Sequence, residues 1–174
     1  KPITMRQIMT HTAGFEESVK YLIVYDKADI RPLGELLKER VPARIFDAGT
    51  TPAYSNYATS LAGYIIERLA GMPFDDYVEQ RIFAPLNMRT ASFRQPLPPA
   101  LAPLAATGYS KPGQPSMGFE VVNSAPAGGL SASGADMANF MIAHLQKGQF
   151  NGARILSEAT ANAMHSSSLD KVNP

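Results

Sequence analysis

Residues 51 to 71 read TPAYSNYATSLAGYIIERLAG, and the other segments of the chain can be placed relative to this one. It contains a turn, a tyrosine, an asparagine and an amphipathic helix in immediate succession. Pro52 prevents the helix from beginning earlier, and the side chain of Ser55 or Asn56 can accept hydrogen bonds from the first helical turn. Gly71 is a typical residue to end a helix. The stretch therefore predicts a long helix whose entrance is fixed by its own capping residues.

One face of this helix is apolar, with residues repeating at intervals of three and four positions, as in a buried helix. The members of that face are Ala58, Leu61, Ala62, Ile65, Ile66 and Leu69. Tyr54 and Asn56 precede it, at the helix entrance. We expect their side chains to be held firmly there and still to face a cleft.

Three segments of the chain resemble, in order and spacing, motifs of the serine β-lactamase and penicillin-binding-protein superfamily. Tyr54-Ser55-Asn56 is similar to the Tyr-x-Asn element. Residues 8–15, IMTHTAGF, are similar to the L-L-x-H-T-S-G-L segment of the class C branch, and residues 126–131, PAGGLS, to its P-A-G-G-L-x-S segment. The resemblance covers nearly the whole chain, from about Ile3 to His165.

The resemblance implies acyl transfer by a serine that must become nucleophilic near neutral pH. It makes Tyr54 the candidate catalytic acid and base, and Asn56 the candidate contact for the substrate amide and for a lysine. Free tyrosine has a pKa of ~10, so such a relay needs neighbouring lysines to stabilise the phenolate. No metal or organic cofactor is required by this chemistry.

Two further elements of the superfamily are missing from the expected places. No serine before Tyr54 is followed by lysine at the third position, and no Lys-Thr-Gly or His-x-Gly occurs near the C-terminus. Ser168 and Lys171 have the Ser-x-x-Lys spacing, but they lie in a polar tail, and we interpret the match as coincidence. We therefore expect an internal piece of a larger serine hydrolase, inactive alone, with its nucleophile on a separate mixed-sheet domain.

Composition is consistent with one globular domain. The 174 residues include 16 basic and 15 acidic side chains and no cysteine, which excludes disulfides and thiolate metal sites. The near-zero net charge argues against a nucleic-acid partner. We expect a domain over residues 1–165 and a frayed end over 166–174. The resemblance implies a bacterial enzyme of the periplasm or cell envelope.

The predicted fold is mainly α, with about six helices and a small β element, similar to the helical domain of class C β-lactamases. Besides the central helix, we predict helices at about 4–11, 33–40, 74–82, 134–147 and 157–165, an irregular helix over 16–30, and two short paired strands at 105–110 and 117–123. Adjacent glycines 128 and 129 permit left-handed dihedrals and close approach of another segment.

Several residues admit a chemical and a structural interpretation, and the structural one is favoured for each. These are His11 and His144 as supporting side chains, Asp75 and Asp76 as surface residues at a helix N-terminus, Phe15, Tyr21 and Tyr25 as core rather than specificity residues, and Ser131 as a poor match to a nucleophile elbow.

Two functional hypotheses remain open. The first is part of a serine hydrolase acting on a β-lactam, a D-amino-acid peptide or a carboxylic ester. The second is a non-catalytic helical interaction or peptidoglycan-binding module that kept the scaffold. In both, an apolar cleft face without its partner domain favours self-association of the isolated piece.

Overall fold

The longest helix, α3 (Asn56–Ala70), packs against the first, second and fourth α-helices of the chain. The computed structural model describes residues 2–116 and 118–167. The other helices are α1 (Met5–Met9), α2 (Leu33–Glu39), α4 (Phe74–Val78), α5 (Gly134–Leu145) and α6 (Glu158–Met164). The strands are β1 (Ile23–Val24), β2 (Val121–Val122), β3 (Gln149–Phe150) and β4 (Ala153–Arg154). The fold is mainly α with a small β element, as predicted.

Helix α3 begins and ends where its sequence indicates. The Ser55 hydroxyl accepts a hydrogen bond from the Ala58 N–H at 3.1 Å, so Ser55 is the capping residue. Gly71 ends the helix with φ +67°, the left-handed conformation typical of a helix C-terminus. The helices predicted at about 4–11, 33–40, 74–82, 134–147 and 157–165 are also present, each within a few residues of its expected bounds.

The predicted apolar face of α3 is correct for most of its length and wrong at its end. Ala58 and Ala62 are buried, whereas Leu69 is 84% exposed. Helical periodicity shows which side of a helix is apolar, but it does not show how far the neighbouring elements extend along the axis. The last turn of α3 is left uncovered in the part of the chain that the structure describes.

Two clusters of buried apolar side chains form the core. One joins α1 to the first half of α3 and consists of Ile8, Ala13, Phe15, Ala58 and Ala62. The other lies among α4, α5 and β3 and consists of Val78, Phe83, Leu86, Met88, Ala91, Ala143 and Phe150. The first cluster lies directly beneath the entrance of α3, so it fixes the position of that entrance.

The prediction of an irregular helix over residues 16–30 is wrong. This segment is mostly loop, and its strand β1 pairs with β2 in antiparallel register, Ile23 opposite Val122 and Val24 opposite Val121. The predicted strand at 105–110 does not form, because β2 bonds to β1 instead. Met117 and residues 168–174, including the Ser168-to-Lys171 match and most of the predicted frayed end, lie outside the described residues.

The Gly128-Gly129 turn is tight for a reason other than left-handed dihedrals. Gly128 has φ 168°, which is extended backbone, and Gly129 does not have a positive φ. A Cβ on Gly129 would lie 2.5 Å from the Gln95 side chain and 3.0 Å from the Ala125 backbone. Close approach of neighbouring atoms is therefore what requires glycine here, and it does so at position 129.

Gly14 provides a test of how the segment before α3 is held. Its φ is +83°, and an added Cβ would lie 2.1 Å from the Phe46 carbonyl oxygen. We expect Gly14→Ala to lower the free energy of unfolding by about 2–4 kcal/mol, because it combines an unfavourable dihedral with a backbone clash. Urea denaturation measures this. Gly71→Ala is the matched control: it has φ +67° and no atom within 4 Å, and should cost only about 1 kcal/mol. Equal costs at the two glycines would contradict the clash.

Asp136 predicts how stability depends on pH. Burial alone would raise the pKa of Asp136, but hydrogen bonds from Thr90 and Ser133 outweigh it and hold the pKa below its ordinary value. The ionised side chain therefore stabilises the folded state above pH ~4, and this contribution is lost as the pH falls through the lowered pKa.

We expect the free energy of unfolding to decrease between pH ~4 and pH ~2 more steeply in the wild type than in Asp136→Asn. Urea titrations at a series of pH values measure the difference. Asp47→Asn, which changes an exposed carboxylate, should keep the wild-type slope. A wild-type slope in Asp136→Asn would show that the hydrogen bonds at Asp136 do not favour the ionised form.

Candidate active site

Tyr54 and Asn56 lie together at the surface, at the entrance of α3. The Tyr54 hydroxyl donates a hydrogen bond to Asn56 Oδ1 at 3.0 Å. Tyr54 is 58% exposed, so its phenol is accessible from outside the chain. In the described residues this is the hydrogen bond that the phenol makes, and no lysine bonds to it. The structure thus brings the two predicted site residues into direct contact.

His11 supports Tyr54 from behind. The two rings are tilted against each other with centroids 4.6 Å apart. His11 Nδ1 accepts a hydrogen bond from the Ser55 N–H at 3.2 Å, and the His11 carbonyl accepts one from the Ala53 N–H at 2.7 Å. His11 thereby fixes the backbone on both sides of Tyr54, which agrees with its predicted structural role.

The threonines beside His11 bind neighbouring polar groups. The Thr10 hydroxyl donates to the Arg6 carbonyl at 2.8 Å, and it lies 3.0 Å from the hydroxyl of buried Thr12. The Thr12 carbonyl accepts from the Gly49 N–H at 2.8 Å. The turn that leads to Tyr54 is therefore bonded to the His-Thr-Ala-Gly segment at more than one point.

Glu17 is the site residue that the sequence analysis missed. Its carboxylate accepts hydrogen bonds from the Asn56 backbone N–H at 2.8 Å and from Asn56 Nδ2 at 2.7 Å. An anion is favourable there, because the first N–H groups of a helix carry partial positive charge. Glu17 and Asn56 are 39 positions apart, and no sequence motif links them. The sequence indicates only that the first N–H groups of α3 need hydrogen-bond acceptors, and it does not show which residue provides them.

The Pro-Ala-Gly-Gly segment reaches the same site through the opposite face of α3. Pro126 packs so closely on Gly63 that a Cβ there would lie 2.4 Å from its ring. The Ser124 hydroxyl is hydrogen-bonded to the Ser60 hydroxyl, which in turn donates to the Asn56 carbonyl at 2.7 Å. All three segments of the resemblance are therefore packed against α3 or bonded to it.

The predicted surface role of Asp75 and Asp76 needs correction. Arg94 binds the carboxylates of Asp76, at 2.5 Å, and Glu79, at 2.8 Å, and these groups are partly buried. Burial raises the pKa of the neighbouring Asp75 carboxyl. The acidic residues of this helix therefore anchor the Arg94 segment to α4.

Other chemical candidates are explained by their surroundings. His144 packs on Phe140, with ring centroids 4.5 Å apart, and its Nδ1 lies 3.1 Å from Nε2 of His165. Ser131 exchanges backbone hydrogen bonds with Ser92.

Within residues 2–116 and 118–167 no group of three or more histidine or acidic side chains has the geometry of a metal site. No helix among these residues is long and apolar enough to cross a membrane.

The aromatic residues after Gly14 differ from the predicted core assignment. Phe15 is buried and contacts Tyr57 edge to face, with centroids 5.0 Å apart. Tyr21 and Tyr25 are 53% and 75% exposed, so the core interpretation is wrong for both. The apolar character of a loop segment does not show which of its side chains turn inward.

The fold and the three converging segments define a protein of the serine β-lactamase and penicillin-binding-protein superfamily. The sequence model of the Beta-lactamase family matches residues 1–172, and the chain belongs to that family.

Solved structures show the same fold in longer proteins. One is the β-lactamase/D-alanine carboxypeptidase from Pseudomonas syringae, at 27% identity and a TM-score of 0.65, with 86% of this chain and 40% of that chain covered. Another is the octameric penicillin-binding protein homologue from Pyrococcus abyssi, at 19% identity and a TM-score of 0.70. That match covers 95% of this chain and 39% of the homologue. A 52-residue stretch is 35% identical to a protein of Cochliobolus lunatus named "Probable hydrolase clz13", and spans 30% of this chain and 8% of that protein. The chain spans less than half the length of each of these proteins.

Glu17 provides a test of how the site is held. We expect Glu17→Ala to increase the hydrogen exchange of the Asn56 backbone amide about tenfold and to destabilise the chain by about 1–3 kcal/mol, because a charge-assisted pair of hydrogen bonds is lost. NMR-detected exchange measures the first and urea denaturation the second. Glu16→Ala is the matched control, since its neighbouring carboxylate does not bond Asn56. Unchanged exchange at Asn56 in Glu17→Ala would contradict the proposed support.

Proposed function

We propose that this chain is the Tyr-x-Asn-bearing part of a serine acyl hydrolase that cleaves a β-lactam, a D-amino-acid peptide or a carboxylic ester. The observation that carries the proposal is the exposed Tyr54 hydroxyl, 3.0 Å from Asn56 Oδ1 at the entrance of α3. The surrounding His11 and Glu17 bonds fix both side chains from the protein side. Their free sides are directed to a partner that this chain does not contain.

In the proposed reaction, a serine on another part of the protein attacks the substrate carbonyl carbon. Its hydroxyl proton passes to Tyr54 in the phenolate form, which lysines on the other part of the protein would stabilise. The tyrosine, now neutral, then gives this proton to the departing nitrogen or oxygen as the carbonyl–leaving-group bond breaks. Water hydrolyses the resulting ester by the reverse sequence of proton transfers. Asn56 orients the substrate amide or ester through the amide hydrogen that Glu17 leaves free.

The partners follow from the same proposal. The exposed apolar side chains of Val41, Ile45 and Phe46, with Tyr54, provide surface for the mixed-sheet domain that would supply the nucleophile and its lysine. Without that domain the same surface favours self-association of the isolated piece. We place the whole protein outside the cytoplasm, in the periplasm or cell envelope.

The proposal predicts that the isolated chain does not hydrolyse nitrocefin or p-nitrophenyl acetate, because Ser-x-x-Lys and Lys-Thr-Gly are supplied by sequence outside it. Spectrophotometric assays at high chain concentration measure this. Hydrolysis by the isolated chain that Tyr54→Phe abolishes would overturn the division of the site between two parts.

The parent protein gives the complementary test. If its gene encodes Ser-x-x-Lys upstream and Lys-Thr-Gly or His-x-Gly downstream, Tyr54→Phe in the full protein should lower kcat about 10²–10⁴-fold, the range expected for loss of a general acid and base. Tyr25→Phe changes a similarly exposed phenol and should leave kcat unchanged. Absence of either motif would favour the non-catalytic peptidoglycan-binding or interaction module.

A further inference from the structure

A cavity of about 400 Å³ opens beside Asn56, between the loop after Gly14, helix α2 and helix α3. This volume lies within the range of small-molecule binding sites. Leu36, Leu37 and Val41 form an apolar wall on the α2 side. Because Asn56 lines both this cavity and the Tyr54 site, a ligand bound at the site can extend into the cavity.

Arg40 gives the cavity its one unusual polar feature. Its guanidinium carbon lies 4.0 Å from the centroid of the Tyr21 ring, so the planar group is held by stacking. Its Nε is buried and does not have a hydrogen-bond partner within the described part of the chain. A buried N–H without an acceptor is unfavourable, so Arg40 is not held by the hydrogen bonds that usually fix a structural arginine.

The other charged groups that line the cavity do not pair with Arg40. Glu39 lines it, but its carboxylate is paired with Arg31 at 2.8 Å. Glu16 and Lys20 also line it and carry opposite charges. The Arg40 charge therefore has no acidic partner among the described residues that line the cavity. An apolar cavity with one unpaired guanidinium is suited to an apolar chain that ends in a carboxylate.

We propose that this cavity binds the acyl part of the substrate, and that the preferred acyl group is an apolar chain carrying a carboxylate remote from the scissile carbonyl. The inference rests on the proposed function for the location of that carbonyl, at Tyr54 and Asn56. The apolar wall contacts the chain, and the Arg40 guanidinium binds the terminal carboxylate. The cavity thus determines which acyl donors are selected.

Binding of octanoate to the chain tests the cavity directly, because octanoate has both an apolar chain and a terminal carboxylate. Octanamide has the same shape without the charge. By NMR titration, octanoate should bind at least about tenfold more tightly than octanamide, with shifts at Leu36, Leu37 and Tyr57. Equal affinity for the two probes, or shifts elsewhere only, would overturn the proposal.

Variants separate a charge effect from a folding effect. Arg40→Gln should reduce octanoate affinity about tenfold, whereas Arg44→Gln, outside the cavity, should not. Val41 is 64% exposed at the cavity wall, so Val41→Glu adds a negative charge at little risk to folding and should weaken octanoate about tenfold. Val41→Gln is its neutral control: it removes the same apolar contact without adding charge, so it should weaken octanoate much less than Val41→Glu does. Octanoate binding unchanged in Val41→Glu would contradict the assigned site.

The parent protein distinguishes failure of this inference from failure of the proposed function. The p-nitrophenyl monoester of suberic acid should be hydrolysed with a kcat/KM at least about tenfold above that of p-nitrophenyl octanoate, and Arg40→Gln should abolish the preference. Hydrolysis of both esters without preference would refute the carboxylate assignment and leave the hydrolase proposal standing. If the parent protein hydrolyses neither ester, nor nitrocefin, nor a D-alanyl-D-alanine peptide, and octanoate still binds through Arg40, the hydrolase proposal is refuted and the binding site stands.

Discussion

The arrangement of the site depends on the two hydrogen bonds that His11 makes to the chain around Tyr54. Its carbonyl binds the Ala53 N–H and its Nδ1 binds the Ser55 N–H, so the backbone is fixed on either side of the phenol. Because Nδ1 accepts a hydrogen bond, the proton of the neutral ring must lie on Nε2. His11 itself has φ +53°, an unusual backbone conformation for a residue other than glycine. In this conformation its carbonyl and its side-chain Nδ1 both bond to residues 53–55.

This constraint explains why the short His-Thr-Ala-Gly segment and the Tyr-x-Asn segment occur together. The first cluster of the core lies directly below them, with Ile8 and Ala13 on one side and Ala58 on the other. Packing alone would leave the exposed phenol free to turn, since Tyr54 has little buried surface. The bonds from His11 fix the backbone on both sides of Tyr54, and the bond from the phenol to Asn56 Oδ1 orients the side chain.

Local sequence patterns predicted the helices well and the strands poorly. Caps such as Ser55 and stops such as Gly71 act within one helical turn, so their effect can be derived from neighbouring residues. The β1–β2 pair joins Ile23 to Val122, and neither two-residue strand has a periodic pattern of its own. Its hydrogen bonds depend on a contact between distant segments, and this is why the loop after Gly14 was predicted as helix.

The same difference between local and distant contacts applies to the site. Tyr54 and Asn56 could be predicted as candidate site residues because they lie in one motif at a helix entrance. Glu17 and the cavity wall were not found, because the first meets Asn56 only through the fold and the second is formed by three separate segments. The sequence shows that the N–H groups at the start of α3 need hydrogen-bond acceptors, but it does not show that a residue as distant as Glu17 supplies one.

Asn56 shows what this arrangement accomplishes physically. Its backbone N–H and its Nδ2 both donate to Glu17, its Oδ1 accepts from Tyr54, and its carbonyl accepts from Ser60. The side-chain amide is thus bonded on both sides, at Nδ2 to Glu17 and at Oδ1 to Tyr54, and these two bonds fix its orientation. Because the Asn56 amide is fixed between the phenol and the cavity, a ligand must adapt to it. The site is therefore preorganised: the Asn56 amide has its orientation before the ligand binds. In the proposed reaction this chain therefore orients the substrate and the proton-relay tyrosine. The reactive serine can lie on a separate part of the protein, because the Asn56 side chain does not need to change its orientation when the two parts meet.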